Sequence, residues 1–319
     1  MPFPYDEFDL SGVRTYPLAD RASRARVEDF GRPFAAGGSF ADWLAALPAF
    51  LGARDLKQAA ASVAGAKRTG RGVIWGIGAH VIKTGLSPIV VDLMERGFVS
   101  ALAMNGAGII HDFEIALSGG TSEDVDESLG AGRFGMAAET AQLNDVIRRG
   151  AEAGQGIGQA VGAHLAALDP PFGRHSLTAT AHRLGIPLTV HVALGTDILH
   201  MHPAASGAAI GEASLRDFRY FTSCVARLGG GVYLNCGSAV VLPEVFLKAV
   251  ALARNQGADL AGLTTVNIDF VRHYRPQTNV LTRPVAGGGA GISLVGHHEI
   301  LIPLLAAAVI ETAAADEDR

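Results

Sequence analysis

Short apolar runs rich in β-branched residues alternate with stretches of helical period along most of this 319-residue chain, and that alternation constrains its fold more than any other feature. The strand candidates are residues 73–75, 100–104, 188–192, 231–234 and 263–268. Between them, apolar positions recurring at three and four residues predict helices over 88–95, 137–149, 154–168, 215–228 and 243–255, the last stopped by Gly257. Upstream, Trp43, Leu44, Leu47, Phe50 and Leu51 follow the spacing of an amphipathic helix within 40–66, and a second helix follows to Lys67. Strands separated by crossover helices pair in parallel, so the expected fold is α/β, a doubly wound, mostly parallel sheet. Residues 1–40 carry several Pro, Asp and Arg residues and no sustained period. They are expected to form an arm that packs on the body or on a neighbouring subunit, with 41–319 as a single α/β domain.

Hydrophobic residues make up 49% and charged residues 18%, which suits a large core and excludes a disordered chain. With 26 basic and 31 acidic residues the net charge is -5, so the chain lacks the basic excess that offsets phosphate, and no nucleic-acid partner is expected. Cys224 and Cys236 are too few for a disulfide framework and lack the paired spacing of a zinc site. A reducing cytoplasm is the expected location. The first seven residues, acidic and proline-containing, do not read as a targeting signal. The apolar runs 300–310 and 240–253 fall short of the roughly 20 residues of a membrane helix, so no membrane partner is expected.

Glycine clusters at the strand ends, where doubly wound folds bind ligands. After 73–75 come Gly76, Gly78, His80, Lys83, Thr84 and Gly85. Glycine lets backbone approach a phosphate, yet the string matches neither the P-loop, because Ile82 stands where Gly is required, nor G-x-G-x-x-G, because residue 81 is Val. Lys83 is one of four lysines and is a candidate anchor for phosphate or carboxylate. After 100–104 come Asn105, Gly106, Gly108, His111, Asp112 and Glu114. His beside carboxylates suits acid–base work or a metal, and equally a helix N-terminus. Thr121–Asp124 reads as a helix cap followed by first-turn acids. The strand carrying His191 leads to Thr196, Asp197, His200 and His202, a cluster fit for a metal or a polar substrate and also explicable as structural histidines. Asn235, Cys236, Gly237 and Ser238, and the 287–299 segment ending in His297, His298 and Glu299, complete the walls of one cleft.

In order and spacing, residues 73–305 resemble the deoxyhypusine synthase family. Residues 79–85 stand where that family has a Ser-Gly-containing loop, and 105–112 echo its Thr-Ala-Gly-Gly-x-Glu-Glu-Asp segment, with His111 at one of the glutamates. Leu184 to Pro187 and Ala193 to Asp197 are similar to its His-Ile-Pro-Val strand ending in Ala-Leu-Thr-Asp, and 255–259 to its Asn-Gly-Ala-Asp. The family's catalytic lysine has no counterpart: 269–285 holds Arg272, His273, Arg275 and Arg283, and a guanidinium is a poor imine-forming nucleophile. Its final Asp-Ala-Ser is replaced by His297, His298 and Glu299 before Pro303.

The resemblance implies a Rossmann-like fold, NAD as cofactor, active sites at dimer interfaces and a homo-oligomer, in that family a tetramer. It implies an NAD-dependent transferase-type enzyme acting on a C–N bond of a small amine or amino-acid-like substrate, by aminoalkyl transfer or oxidative deamination. Lys83, His111, Asp112, Asp197 and His202 are the expected catalytic residues. Gly78, His80, Lys83, Thr84, Asn105, Gly106, Gly108, Gly237, Ser238, His297 and His298 are the expected cofactor contacts. Two other readings stay open. One is a metal-dependent hydrolase or lyase with His111, His200 and His202 as ligands, and the other a non-catalytic nucleotide or metabolite binder.

Overall fold

The computed structural model describes residues 3–317. After two 3-10 turns, Leu18–Asp20 and Val27–Asp29, come α1 (Phe40–Ala46), opened by a reciprocal Ser39–Asp42 capping box, and α2 (Leu51–Arg68). Then follow β1 (Val73–Ile77), α3 (Ala79–Lys83), α4 (Ser87–Glu95), β2 (Ala101–Asn105), α5 (Gly106–Ser118), α6 (Val125–Gly130), α7 (Ala138–Glu152), α8 (Ile157–Leu168), α9 (Leu177–Leu184) and β3 (Leu188–His191). The second half runs α10 (Gly207–Val225), β4 (Val232–Cys236), α11 (Val241–Asn255), β5 (Thr264–Asp269), α12 (Tyr274–Asn279), β6 (Ala290–Val295) and α13 (His298–Glu317).

All six strands pair in parallel in the order β3-β2-β1-β4-β5-β6, the expected doubly wound sheet. The order reverses between β1 and β4, where Ile77 pairs with Cys236, and this is the switch point at which such sheets open a crevice. Both faces are covered, so the strands read as near-continuous apolar runs. Val73, Trp75, Ile77, Leu102 and Met104 join one core, and Ile74, Ala101, Ala103 and Tyr233 join the other, with Tyr233 stacked on Phe246 at 3.7 Å between centroids. Gly78 is needed for close approach: a Cβ there would collide with the carbonyl of Gly237, and the Gly78 N–H continues the ladder to the Cys236 carbonyl at 2.8 Å.

β6, α6, α9 and α12 lie outside the expected strands and helices, and two of the segments singled out in the sequence take a different form. α10 begins at Gly207 rather than at 215, because Gly207 and Gly211 hide its first two turns from a propensity reading. The apolar run 300–310 is the middle of α13, a helix of 20 residues that is long and apolar enough to cross a membrane by length and composition. That helix lies against α2, with Ile302, Leu305, Ala308 and Val309 fully buried.

Candidate functional site

α5 starts directly at the carboxyl end of β2. Asn105 caps it, accepting the Gly108 N–H at 3.0 Å, and its inner face buries Ile109, Ile110, Phe113 and Ala116. His111 and Glu114, three residues apart, share the opposite face. The His111 Nδ1 lies 2.6 Å from Thr121 Oγ1, and that hydroxyl in turn donates to Glu114 Oε2. Since the hydroxyl has given its only proton to the carboxylate, it accepts from Nδ1–H, which leaves Nε2 as the basic nitrogen. Burial pushes the Glu114 carboxyl up, but the hydrogen bonds from His111 and Thr121 and the nearby imidazole charge outweigh it and hold Glu114 below its ordinary range.

Asp197, from the turn after β3, brings its carboxylate over the first residue of α5, where a Cβ on Gly106 would collide with it. The helix N-terminus favours that negative charge. Burial nevertheless raises the Asp197 pKa, opposed by His200, Thr196 and His111. His200 is held by its Nδ1, which accepts the N–H groups of Gly195 at 3.1 Å and Asp197 at 3.2 Å, so its buried Nε2 carries a proton with no acceptor among the described residues.

Lys83, His111, Glu114, Glu123 and Asp197 line one cavity of about 190 Å³. Lys83, on the last turn of α3, makes no hydrogen bond or ion pair among the described residues. A cation, a base and two kinds of carboxylate on one small pocket suit a zwitterionic or amine substrate whose proton must be removed. A second cavity of about 740 Å³ adjoins it and shares Ile110, Glu114, Ser122 and Glu123 as a common wall.

At the switch point lies a ring cluster drawn from three strand ends. His80 and His298 stand 5.3 Å apart, Phe270 stacks on His297 at 6.0 Å with planes 12° apart, and His298 sits edge-on to Phe270 at 6.1 Å. His298 is 1% exposed and its Nε2 lies 3.1 Å from the Ile268 carbonyl, so Nε2 donates there and the buried Nδ1 is left as an acceptor without a donor. Exposed ring faces and an unpaired acceptor fit a heteroaromatic cofactor bearing hydroxyl or amide donors.

The other expected residues have structural work. Asp112 does not reach the pocket: it is buried and accepts the Ser176 hydroxyl at 2.6 Å and the N–H groups of Leu177 at 2.7 Å and Thr178 at 3.1 Å, fixing the start of α9. His202 stands outside the cavity, its Nδ1 taking the Ala204 N–H at 3.1 Å. Among the described residues no three His, Cys, Asp or Glu side chains converge as metal ligands, so His111, His200 and His202 do not form the alternative set. The spaces above Gly78, Gly106 and Gly108 are filled by the protein itself, by Gly237, Asp197 and Met104, and so do not cradle a phosphate. Gly237 adopts φ +68 against the His298 ring, Ser238 Oγ accepts the Leu242 N–H at 3.2 Å and Thr84 Oγ1 bonds the His80 carbonyl at 2.8 Å. Thr121 and Glu123 join the site from the segment that reads as a helix cap with first-turn acids, and Phe270 from the stretch after β5, while the i, i+3 spacing of His111 and Glu114 was the one local signal for the relay.

An open, parallel sheet with a polar cavity outside its carboxyl ends places the molecule among the doubly wound α/β proteins. No family model and no curated protein matches the chain. Among solved structures it is similar to AgrE in a ternary complex with ornithine and NAD+, at 16% identity over 82% of this chain and 34% of that one, with a TM-score of 0.54. Unliganded AgrE gives 16% identity over 80% and 32% of the two chains, with a TM-score of 0.52. This chain therefore spans about a third of the AgrE chain, and the likeness is one of fold. An Entamoeba histolytica chain assigned as a deoxyhypusine synthase is also similar, at 11% identity over 88% and 96% of the chains, with a TM-score of 0.49.

Proposed function

We propose that this protein is an NAD-dependent enzyme acting on a C–N bond of a small amine or amino-acid-like substrate, with the cofactor at the ring cluster of His80, Phe270, His297 and His298. The observation that carries this reading is the convergence of Lys83, His111 and Asp197 on one cavity at the strand ends, beside the switch-point crevice. The likeness of fold to a third of the AgrE chain, whose ternary complex holds ornithine and NAD+, supports it. Bound NAD supplies a hydride acceptor for the carbon bearing nitrogen. In this chain, Lys83 binds a substrate carboxylate, Asp197 orients the ammonium group, and His111 Nε2 takes the proton released from nitrogen, with Thr121 and Glu114 holding its ring.

A thermal-shift titration tests the cofactor, since a ligand that binds only the folded state raises the melting temperature, by about 2.7 kcal/mol of stability at a hundredfold excess over Kd. A rise with NAD, retained in Lys83→Met, is expected; no response to either NAD or NADP removes the nicotinamide reading. In the same variant, turnover of an amino-acid substrate is expected to fall, and unchanged turnover would take Lys83 out of the site.

A further inference from the structure

We propose that the cavity of about 740 Å³ is the pocket for the substrate's side chain, and that it selects amines bearing a bulky apolar group, aryl or branched alkyl, over diamines and amino acids with a charged tail. This rests on the reading of the smaller cavity as the reaction pocket. The two cavities adjoin at Ile110, Glu114, Ser122 and Glu123, so a molecule whose amine sits by Asp197 and His111 can extend past these residues into the larger cavity. The volume is of the size that holds a drug-sized ligand, about 300–1,000 Å³. It exceeds the need of a short aliphatic amine.

The distribution of charge fixes the chemistry of the occupant. The depth is formed by Phe113, Leu143 and Leu199, each 1% exposed, with Leu117 and Leu168 toward the opening. Among the described residues no Lys, Arg or His lines this cavity, so it offers no anchor for an anionic tail. Its carboxylates are at its edges: Glu114 and Glu123 belong to the shared wall, where Glu114 is engaged by Thr121 and Glu123 accepts the Gly135 N–H at 2.7 Å, and Glu139 is exposed on the first turn of α7. A second ammonium carried into the depth would lose its water without a facing acid, whereas an apolar group gains by leaving water. His164 stacks on Phe113 at 6.2 Å between centroids and hydrogen-bonds Gln142 at 3.1 Å, which steadies the aromatic wall.

The test is calorimetric titration of the intact protein, in the presence of NAD, with 2-phenylethylamine and with 1,4-diaminobutane. The aryl amine is expected to bind about tenfold more tightly or better. In Leu168→Trp, a change at a residue 44% exposed that fills the cavity from its open end, that preference is expected to vanish while the NAD-dependent thermal shift is unchanged. The pocket assignment is overturned if the diamine binds as well or better, if neither amine binds, or if the variant keeps the wild-type preference. A retained aryl preference without any NAD shift would sink the cofactor reading and leave the pocket standing.

Discussion

The Thr121 hydroxyl does two things at once for His111: it accepts a hydrogen bond from Nδ1–H and donates one to Glu114, so the ring is oriented and its tautomer set by a residue ten positions away. Replacing the imidazole with a side chain of similar reach and no basic nitrogen, His111→Gln, is expected to lower kcat by about 10²–10⁴-fold with the fold intact, the usual contribution of a positioned base. Steady-state kinetics beside a melting curve checks this, and a loss confined to KM would mean that His111 only binds. Gly106 is the second residue on which the site turns. Its hydrogen leaves the space in which the Asp197 carboxylate rests, so Gly106→Ala must displace that carboxylate or shift the start of α5. The expected cost is about 1–3 kcal/mol of stability, as for other overpacked positions, together with weaker amine binding. An alanine variant with wild-type stability and affinity would show that Asp197 has room to move and is not held for function.

At the scale of elements, the edge strand β3 shows how an exposed sheet edge is closed. The outward N–H of Val190 goes to Asp217 Oδ2 at 2.9 Å and that of Val192 to Ser214 Oγ at 3.0 Å, so α10 supplies the partners that a seventh strand would have supplied. Asp217 Oδ2 also takes the Gly158 N–H at 3.2 Å, fastening the start of α8. Burial pushes Asp217 up to about 7, against the pull of the Val190, Gly158 and Ile157 N–H groups. A carboxyl whose folded pKa lies above its unfolded value of about 3.9 gains a proton on folding, so the stability it contributes is full below that value and lost as pH rises through the folded pKa. Urea unfolding of wild type and Asp217→Asn at several pH values is expected to show their stability difference moving against wild type between about pH 4 and 7. A difference independent of pH would mean that Asp217 is as ionised in the fold as in the unfolded chain. Buried His191, pushed down to about 3, adds a slope of the opposite sign, but both proteins share it.

These elements were legible in the sequence to unequal degrees. Strands β1 to β5 fall on the expected apolar runs because both sheet faces are buried, whereas β6 follows the glycines 287–289 and is only partly covered, so its run is short and mixed. Lys83, His111 and Asp197 could be picked out as polar residues at strand ends. The burial of Asp112 could not, because its partner Ser176 lies 64 residues further on, and neither could the larger cavity, which exists only once α5, α7 and α8 pack together.

For the whole molecule, the surface is out of proportion to the chain. It exposes 16634 Å², whereas a compact monomer of its mass exposes about 12,500 Å². Much of the excess lies in the arm before α1, where Phe3, Tyr5, Phe8, Leu10 and Tyr16 are all more than half exposed and none of the described residues is buried. Near its end the arm is fastened to its own body, with the Arg32 N–H on the Ala46 carbonyl and the Ala49 N–H on the Asp29 carbonyl, each at 2.9 Å, but upstream of these bonds the apolar side chains meet no core. A contiguous apolar stretch left exposed marks a site of association, and an arm anchored at one end can reach a second copy of the chain. The intact protein is therefore expected to sediment as a homo-oligomer. A chain begun at Val27, which keeps the anchoring bonds and drops the apolar stretch, is expected to sediment as a monomer or to dissociate at much lower concentration. The same number of subunits for the two in analytical ultracentrifugation would show that the arm is not what joins them.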